Sequence, residues 1–375
     1  MAKNISFLDL SKQQKRLQGK ILLNINKVLE HGQYIMGPEV TKFETKLEQY
    51  TGAKYSASCA SGTDALVLSL MSLNIGPGDI VFCPSFTFPA TAEAIVILGA
   101  IPFFIDVELD TFNISIDSLK KGIQIVKKEN KYKPKAIIAV DLYGLPANYD
   151  ELNIIARENN LSLISDAAQS FGAELNSNKV GVLADITCIS FFPAKPLGCY
   201  GDGGAVLTNN LSIQEKVKSL RAHGKGKSKY DIDYVGLNSR LDTIQAGILL
   251  AKLEEFDWEI EQRNVIAKNY SEVLNNKIIV PKVLNNYKSV WAQYTLRHLE
   301  RDKIQKLLNE KGIPTMVYYP IPMHKQKAYR NYYNVDITLD NSEKLAEQVF
   351  SLPIYPDLSE NEQEYISSEL LKIMK

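Results

Sequence analysis

Ser190-Phe-Phe-Pro-Ala-Lys195-Pro-Leu-Gly-Cys-Tyr-Gly-Asp-Gly-Gly204 is the stretch on which the reading of this chain turns. It closes an apolar run, residues 187–192, that reads as a buried strand. A lysine follows directly, and then a glycine-rich turn. Beside Phe191, Phe192 and Pro193 the Lys195 ammonium is partly desolvated, which disfavours the charged form and lowers its pKa. A neutral lysine amine is what condensation with an aldehyde requires. The plainer alternative is a surface lysine in a loop. The run 201–204 is not a dinucleotide turn, because it lacks the G-x-G-x-x-G spacing and no helix follows it.

Upstream, residues 161–169 read Leu-Ser-Leu-Ile-Ser-Asp166-Ala-Ala-Gln169, an apolar strand ending in an acid. Ligands bind at the carboxyl ends of strands in open α/β sheets, so Asp166 is a candidate partner for a cationic ring nitrogen as well as a helix cap. Further upstream, Ala60-Ser-Gly62-Thr63-Asp-Ala-Leu66 joins a strand to a helix. Free amides at a helix N-terminus, with hydroxyls nearby, suit a phosphate.

Around these stretches apolar runs alternate with helical segments. Strands are predicted at 55–60, 80–84, 102–107, 135–142, 161–166, 187–192 and 205–208, and helices at 11–31, from Pro38, and at 63–73, 90–98 and 152–159. The strands are continuously apolar, so the sheet should be mostly parallel and covered on both faces. Residues 241–274 read as a long helical link to an α+β unit with strands at 289–296 and 315–319 and helices at 342–350 and 360–374. The expected division is a large domain over 1–245 and a link plus small domain over 246–375.

The 375 residues are 45% hydrophobic and 23% charged, with 43 Lys plus Arg against 43 Asp plus Glu. That balance points to neither nucleic acid nor a membrane surface as a partner. Cys59, Cys83, Cys188 and Cys199 form no C-x-x-C pair and lie at no metal-ligand spacing to histidine, so no metal is expected. The first ten residues carry no leader-like apolar block, and no stretch approaches a membrane span, so the expectation is a cytoplasmic protein.

Taken in order, Gly37-Pro-Glu-Val40, Ser61-Gly-Thr-Asp-Ala-Leu66, Pro84-Ser-Phe-Thr-Phe-Pro-Ala-Thr91, Asp166-Ala-Ala-Gln169, Ser190-Phe-Phe-Pro-Ala-Lys195, Asn238-Ser-Arg-Leu-Asp-Thr-Ile-Gln245 and Tyr319-Pro-Ile-Pro322 resemble the DegT/DnrJ/EryC1/StrS sugar aminotransferases, within the fold-type I pyridoxal phosphate enzymes. The resemblance covers essentially the whole chain. It implies a large domain with a mostly parallel, seven-stranded type of sheet between helices, and pyridoxal 5'-phosphate as cofactor. It implies that Lys195 forms the Schiff base with the cofactor and moves the proton. Asp166 pairs with the pyridine nitrogen, Gln169 lies at the ring hydroxyl, and Phe88 stacks on the ring. Gly62, Thr63 and Ser190 hold the phosphate, and Asn238 reaches it from the other subunit of a homodimer.

For substrate, the resemblance implies contacts from Arg240, Tyr318 and Tyr319, with Arg240 acting across the interface on a sugar carboxylate. The run around Lys195 looks most like the enzymes that aminate UDP-2-acetamido-2-deoxy-3-oxo-glucuronate, using L-glutamate, to supply surface polysaccharide synthesis such as O-antigen. Tyr318 is a departure, standing where the family commonly has a histidine that contacts substrate. A neutral 3- or 4-keto sugar nucleotide is the alternative substrate. His223 and His324 match family patterns without an assigned role. A dehydratase of the same fold would have lost Lys195, and a non-catalytic sensor would have lost Lys195, Asp166 or the phosphate turn. All three are present.

Overall fold

The computed structural model describes residues 5–228, 230–332 and 336–374. The first four residues, part of the stretch read for a leader, lie outside the described residues. Seven strands form the central sheet: β1 (Tyr55–Cys59), β2 (Asp79–Pro84), β3 (Ile101–Ile105), β4 (Lys133–Val140), β5 (Ser162–Asp166), β6 (Ile186–Ser190) and β7 (Gly204–Thr208). Their spatial order is β1-β7-β6-β5-β4-β2-β3. β3, β2, β4, β5 and β6 pair in parallel, and β7 runs antiparallel to both β6 and β1. Two antiparallel steps restore direction, so β1 points the same way as β5 and β6. The mostly parallel expectation holds, with β7 as the reversed strand.

Side chains alternate across each strand, and both faces are apolar. Val81, Ile138, Ile164 and Ile186 face one core, shared with Leu66 and Leu70 of the helix Gly62–Ser72 and Ala92 and Ile95 of the helix Pro89–Ile97. Ile137, Ala139 and Leu163 face the other, against the helices Ile116–Glu129 and Tyr149–Asn159. Farther along that second face, Ile189, Ala205 and Leu207 meet Phe43 and Leu47 from the helix Pro38–Thr51 and Leu249 from the helix Thr243–Leu253. The Pro38–Thr51 helix begins with Pro38 in its first turn and stops at Gly52, whose φ of 80° suits glycine.

A separate core gathers Ile266, Tyr270, Tyr294, Leu296, Ile304, Leu308, Phe350, Leu352 and Ile366. Its strands, β8 (Tyr294–Arg297) and β9 (Val349–Leu352), pair antiparallel. The expected strand at 315–319 is absent as a strand. Only Met316 makes an isolated bridge, to Ser351, because Pro314 and Pro320 bracket the segment and remove ladder donors. The helix expected over 342–350 ends at Gln348, and the last residues enter β9. The long helical reading of 241–274 is two helices, Thr243–Leu253 and Phe256–Leu274. The helices Ile116–Glu129 and Leu211–Leu220 were not anticipated. Among the described residues, no helix is long and apolar enough to cross a membrane.

One buried ion pair anchors β1. Arg221 donates to Glu44 (2.5 Å) and to the Ser58 carbonyl (2.6 Å), and the Ser58 amide and hydroxyl donate to Glu44 (2.9 and 2.8 Å). Glu44→Ala strands the buried guanidinium, and removing one partner of such a pair costs about 3–5 kcal/mol. Urea unfolding should show a loss of that size. A variant within about 0.5 kcal/mol of wild type, the scatter of an ordinary surface change, would show that the arginine finds other acceptors.

Candidate active site

The shared direction of β1, β2, β5 and β6 delivers four loops to one edge of the sheet. β1 leads into Ser61 and Gly62, β2 into Ser85–Phe88, β5 ends on Asp166, and β6 ends on Ser190 before Lys195. A cavity of about 410 Å³ opens there, lined by Gly62, Thr63, Phe88, Asp166, Gln169, Ser190, Lys195, Tyr318 and Tyr319 among others. Nine of the eleven candidate residues therefore come together. Asn238 and Arg240 do not line it. Asn238 is exposed and Arg240 half-buried, with its Nε shielded and unpaired. Their neighbour Ser239 accepts a bond from the Ala60 amide (3.3 Å), so the segment passes beside the phosphate-type turn.

At that turn Ser61 caps the helix Gly62–Ser72, accepting from the Asp64 amide (3.0 Å). The first-turn amides have no intrahelical acceptors and stand available for an anion. A β-carbon on Gly62 would lie 2.6 Å from the Ser190 Cβ, so only glycine lets the helix end approach the Ser190 hydroxyl this closely.

Asp166 is 6% exposed. Thr91 Oγ1 donates to its Oδ2 (2.8 Å) and the Ala168 amide to its Oδ1 (3.3 Å), while Thr87 Oγ1 bonds Thr91 Oγ1 (3.0 Å). Among the described residues, no cation closes an ion pair on it at 4.0 Å or less. Burial raises its pKa, opposed by the Thr91 and Ala168 bonds and the charge of Lys195. Lys195 keeps some access to the cavity but is otherwise enclosed. Burial lowers its pKa, with Asp166 acting the other way. Its amide donates to the Phe192 carbonyl (2.8 Å). Gln169 accepts from the Tyr143 amide (2.7 Å) and donates to the Tyr319 hydroxyl (3.2 Å). Phe88 is half exposed, its ring 5.9 Å from that of Tyr319.

Pyridoxal phosphate fits this set on three observations. A buried carboxylate lacks a protein cation where a protonated ring nitrogen would supply one. A lysine poised toward the neutral amine faces the same space. The glycine-tight helix end offers amides for a phosphate. Thr87 and Thr91 are functional-site residues that sequence reasoning did not single out. Thr91 lies inside a quoted motif, but only the β2–β4–β5 pairing brings it onto Asp166. His324 lies off the cavity, bonded to Ser85 Oγ (2.6 Å) and Glu343 (3.1 Å).

A lowered pKa leaves a larger share of the Lys195 amine neutral at a given pH. In protein stripped of cofactor, limiting acetic anhydride near neutral pH should modify Lys195 ahead of surface lysines. Labelling no faster than the surface average would contradict the lowered pKa.

The profile of the DegT/DnrJ/EryC1/StrS aminotransferase family matches residues 15–371. A UDP-2-acetamido-2-deoxy-3-oxo-D-glucuronate aminotransferase of Pseudomonas aeruginosa is 45% identical over 355 residues, covering 94% of this chain and 96% of that one. A dTDP-3-amino-3,6-dideoxy-alpha-D-galactopyranose transaminase of Aneurinibacillus thermoaerophilus is 41% identical over 96% of this chain and 97% of its own. The crystal structure of a DegT/DnrJ/EryC1/StrS aminotransferase from Brucella abortus superimposes with a TM-score of 0.97 at 43% identity, over 99% of both chains. A match of this extent, over a fold and cavity of this kind, has one meaning: the chain belongs to the DegT/DnrJ/EryC1/StrS aminotransferase family and is a pyridoxal-phosphate-dependent aminotransferase.

Proposed function

We propose that this enzyme moves an amino group from L-glutamate to the keto carbon of UDP-2-acetamido-2-deoxy-3-oxo-glucuronate. The 3-amino sugar formed would serve surface polysaccharide synthesis from the cytoplasm. The observation that carries the reading is the facing of Lys195 and Asp166 in one cavity, in a chain 45% identical to an aminotransferase for that uronate. A neutral keto sugar is the second reading. It is favoured by the dTDP-sugar relative and by Tyr318, a neutral hydroxyl at the position of the family histidine.

The bound cofactor supplies an aldehyde that links to amines and a ring that withdraws electrons from the adjacent carbon. Around it the chain's own groups divide the work. Lys195 Nζ would take the proton from the donor carbon as general base and deliver it as general acid to the adjacent cofactor carbon. Asp166, held by Thr91 and Ala168, would carry the negative charge that pairs with the ring nitrogen. The Gly62 and Thr63 amides and the Ser190 hydroxyl would hold the phosphate. Phe88 would pack on the ring, and Gln169, braced by Tyr143 and Tyr319, would meet the ring hydroxyl. Tyr318 and Tyr319 border the space for substrate.

Asn238 and Arg240 complete the site from a second copy in this reading. Large exposed apolar side chains support a covered face, among them Leu23 (57%), Tyr34 (48%), Ile35 (46%) and Phe192 (51%). In a two-fold dimer each site would then carry residues of both chains. Inactive Lys195→Ala and inactive Asn238→Ala chains should regain activity when mixed and allowed to exchange. One site of the heterodimer carries both lesions and the other none. Absence of recovery despite proven exchange rules out the shared site.

Arg240 is assigned to the sugar carboxylate, because its planar fork can bind both oxygens. A charge-assisted contact of this kind is worth about 1.5–3 kcal/mol, so the uronate should outcompete its C6-hydroxyl analogue roughly ten- to a hundredfold. Arg240→Ala should erase most of that preference while sparing the glutamate half-reaction. If the wild-type enzyme prefers the neutral sugar nucleotide, the uronate reading fails and the neutral one replaces it.

A further inference from the structure

Gln293 lines the same cavity as Asp166, Lys195, Tyr318 and Tyr319, yet no role has been assigned to it. It lies immediately before β8, so it comes from the small-domain side of the site. Its side-chain Oε1 is shielded from solvent and has no hydrogen-bond partner among the described residues. Buried polar side chains are almost always paired, so an unpaired one in a ligand cavity marks a contact that the protein leaves to the ligand.

The mount of this side chain is rigid. The Gln293 backbone amide donates to the Tyr143 carbonyl (3.4 Å), and neighbouring Val290 donates to the Gly144 carbonyl (3.1 Å). Nearby polar groups are already engaged. The Tyr143 hydroxyl donates to the Tyr318 carbonyl, and the Tyr319 hydroxyl accepts from Gln169. Gln293 also lines a smaller cavity of about 20 Å³, where Ser289 Oγ donates to the Gly144 carbonyl and Thr295 Oγ1 bonds Ser351 Oγ. Among the described residues, no side chain is hydrogen-bonded to the Gln293 Oε1.

We propose that Gln293 is a substrate-contact residue whose amide binds an uncharged polar group of the sugar, a ring hydroxyl or an acetamido group, in the second half-reaction. This rests on the sugar-nucleotide reading above. A primary amide carries one acceptor and two donor hydrogens and no charge, so it complements a hydroxyl or another amide. A carboxylate, as on glutamate, is better served by a guanidinium.

The test uses the cofactor-loaded enzyme with Gln293→Leu and, as a second near-isosteric variant, Gln293→Met. UDP-N-acetylglucosamine and dTDP-glucose serve as unreactive probes in calorimetry, alongside thermal unfolding without sugar nucleotide and the glutamate half-reaction followed by visible absorbance. Removing a shielded, unpaired amide oxygen in favour of an apolar group is neutral or stabilising, so the variants should melt at or above the wild-type temperature. Affinity for whichever probe wild type binds should fall about five- to tenfold, the loss of one neutral hydrogen bond. The glutamate half-reaction should keep its rate. Unchanged affinity together with a lowered melting temperature makes Gln293 structural and overturns the assignment. A slowed glutamate half-reaction with unchanged sugar affinity also overturns it, and leaves the sugar-nucleotide reading standing. If wild type binds neither probe, that reading fails and the assignment falls with it.

Discussion

The site is organised around a carboxylate held inside the protein without a cation of its own. Asp166 ends a parallel strand at 6% exposure, with one hydroxyl and one amide as its donors. A buried charge is costly unless it is paired. Among the described residues it has hydrogen bonds but no ion pair, and the charge of Lys195, itself pushed toward the neutral form by burial, acts on it through space. Burial disfavours the charged form of each group, so a cationic ring nitrogen at Asp166 and an aldehyde at Lys195 would suit the two environments.

Such a pair works only if its supports do not move, and the supports come from distant parts of the chain. The loop carrying Lys195 is tied from behind by Lys252, whose buried ammonium donates to the Gly198 carbonyl (2.7 Å) and lies 4.4 Å from the ring centre of Tyr200. Burial lowers that lysine to a pKa of about 8. The helix Phe256–Leu274 carries Ile266 and Tyr270 into the C-terminal core. Its Arg263 donates to the carbonyls of Trp291 (3.1 Å) and Ile354 (3.2 Å), with burial lowering the guanidinium to about 10. Trp291 lies two residues before Gln293, so this clamp helps hold the part of the cavity wall that Gln293 lines. Tyr143, in a left-handed conformation with φ of 60°, bonds Gln169 on one side and the small-domain segment at Tyr318 on the other.

Much of this was legible in the amino-acid order. Continuous apolar runs such as Ala136–Val140 identify strands buried on both faces, because only a sheet covered twice excludes polar alternation. Lysine after a strand, acid at a strand end and glycine at a helix start are local chemical features, and they located the cavity. Where the reading erred, one cause was local and the other was long-range strand pairing. Residues 315–319 have β-type composition, but flanking prolines and a single bridge to Ser351 keep them out of the ladder. Residues 349 and 350 continue a helical pattern until pairing with β8 takes them into a strand.

By itself the sequence determined the alternation of strands and helices, which depends on local periodicity, and its short motifs carried the resemblance that implied the family, the cofactor and nine residues now found lining one cavity. Tertiary structure alone decided which groups touch. Thr91 reaches Asp166 across 75 positions of chain, and Gln169 reaches Tyr319 across 150. It also decided that Gln293 is left unpaired in the cavity wall and that Asn238 and Arg240 stand outside the lining. Hydrogen-bond pairing and desolvation depend on distances that strand order and domain docking set, and those distances are not encoded in any local pattern of residues.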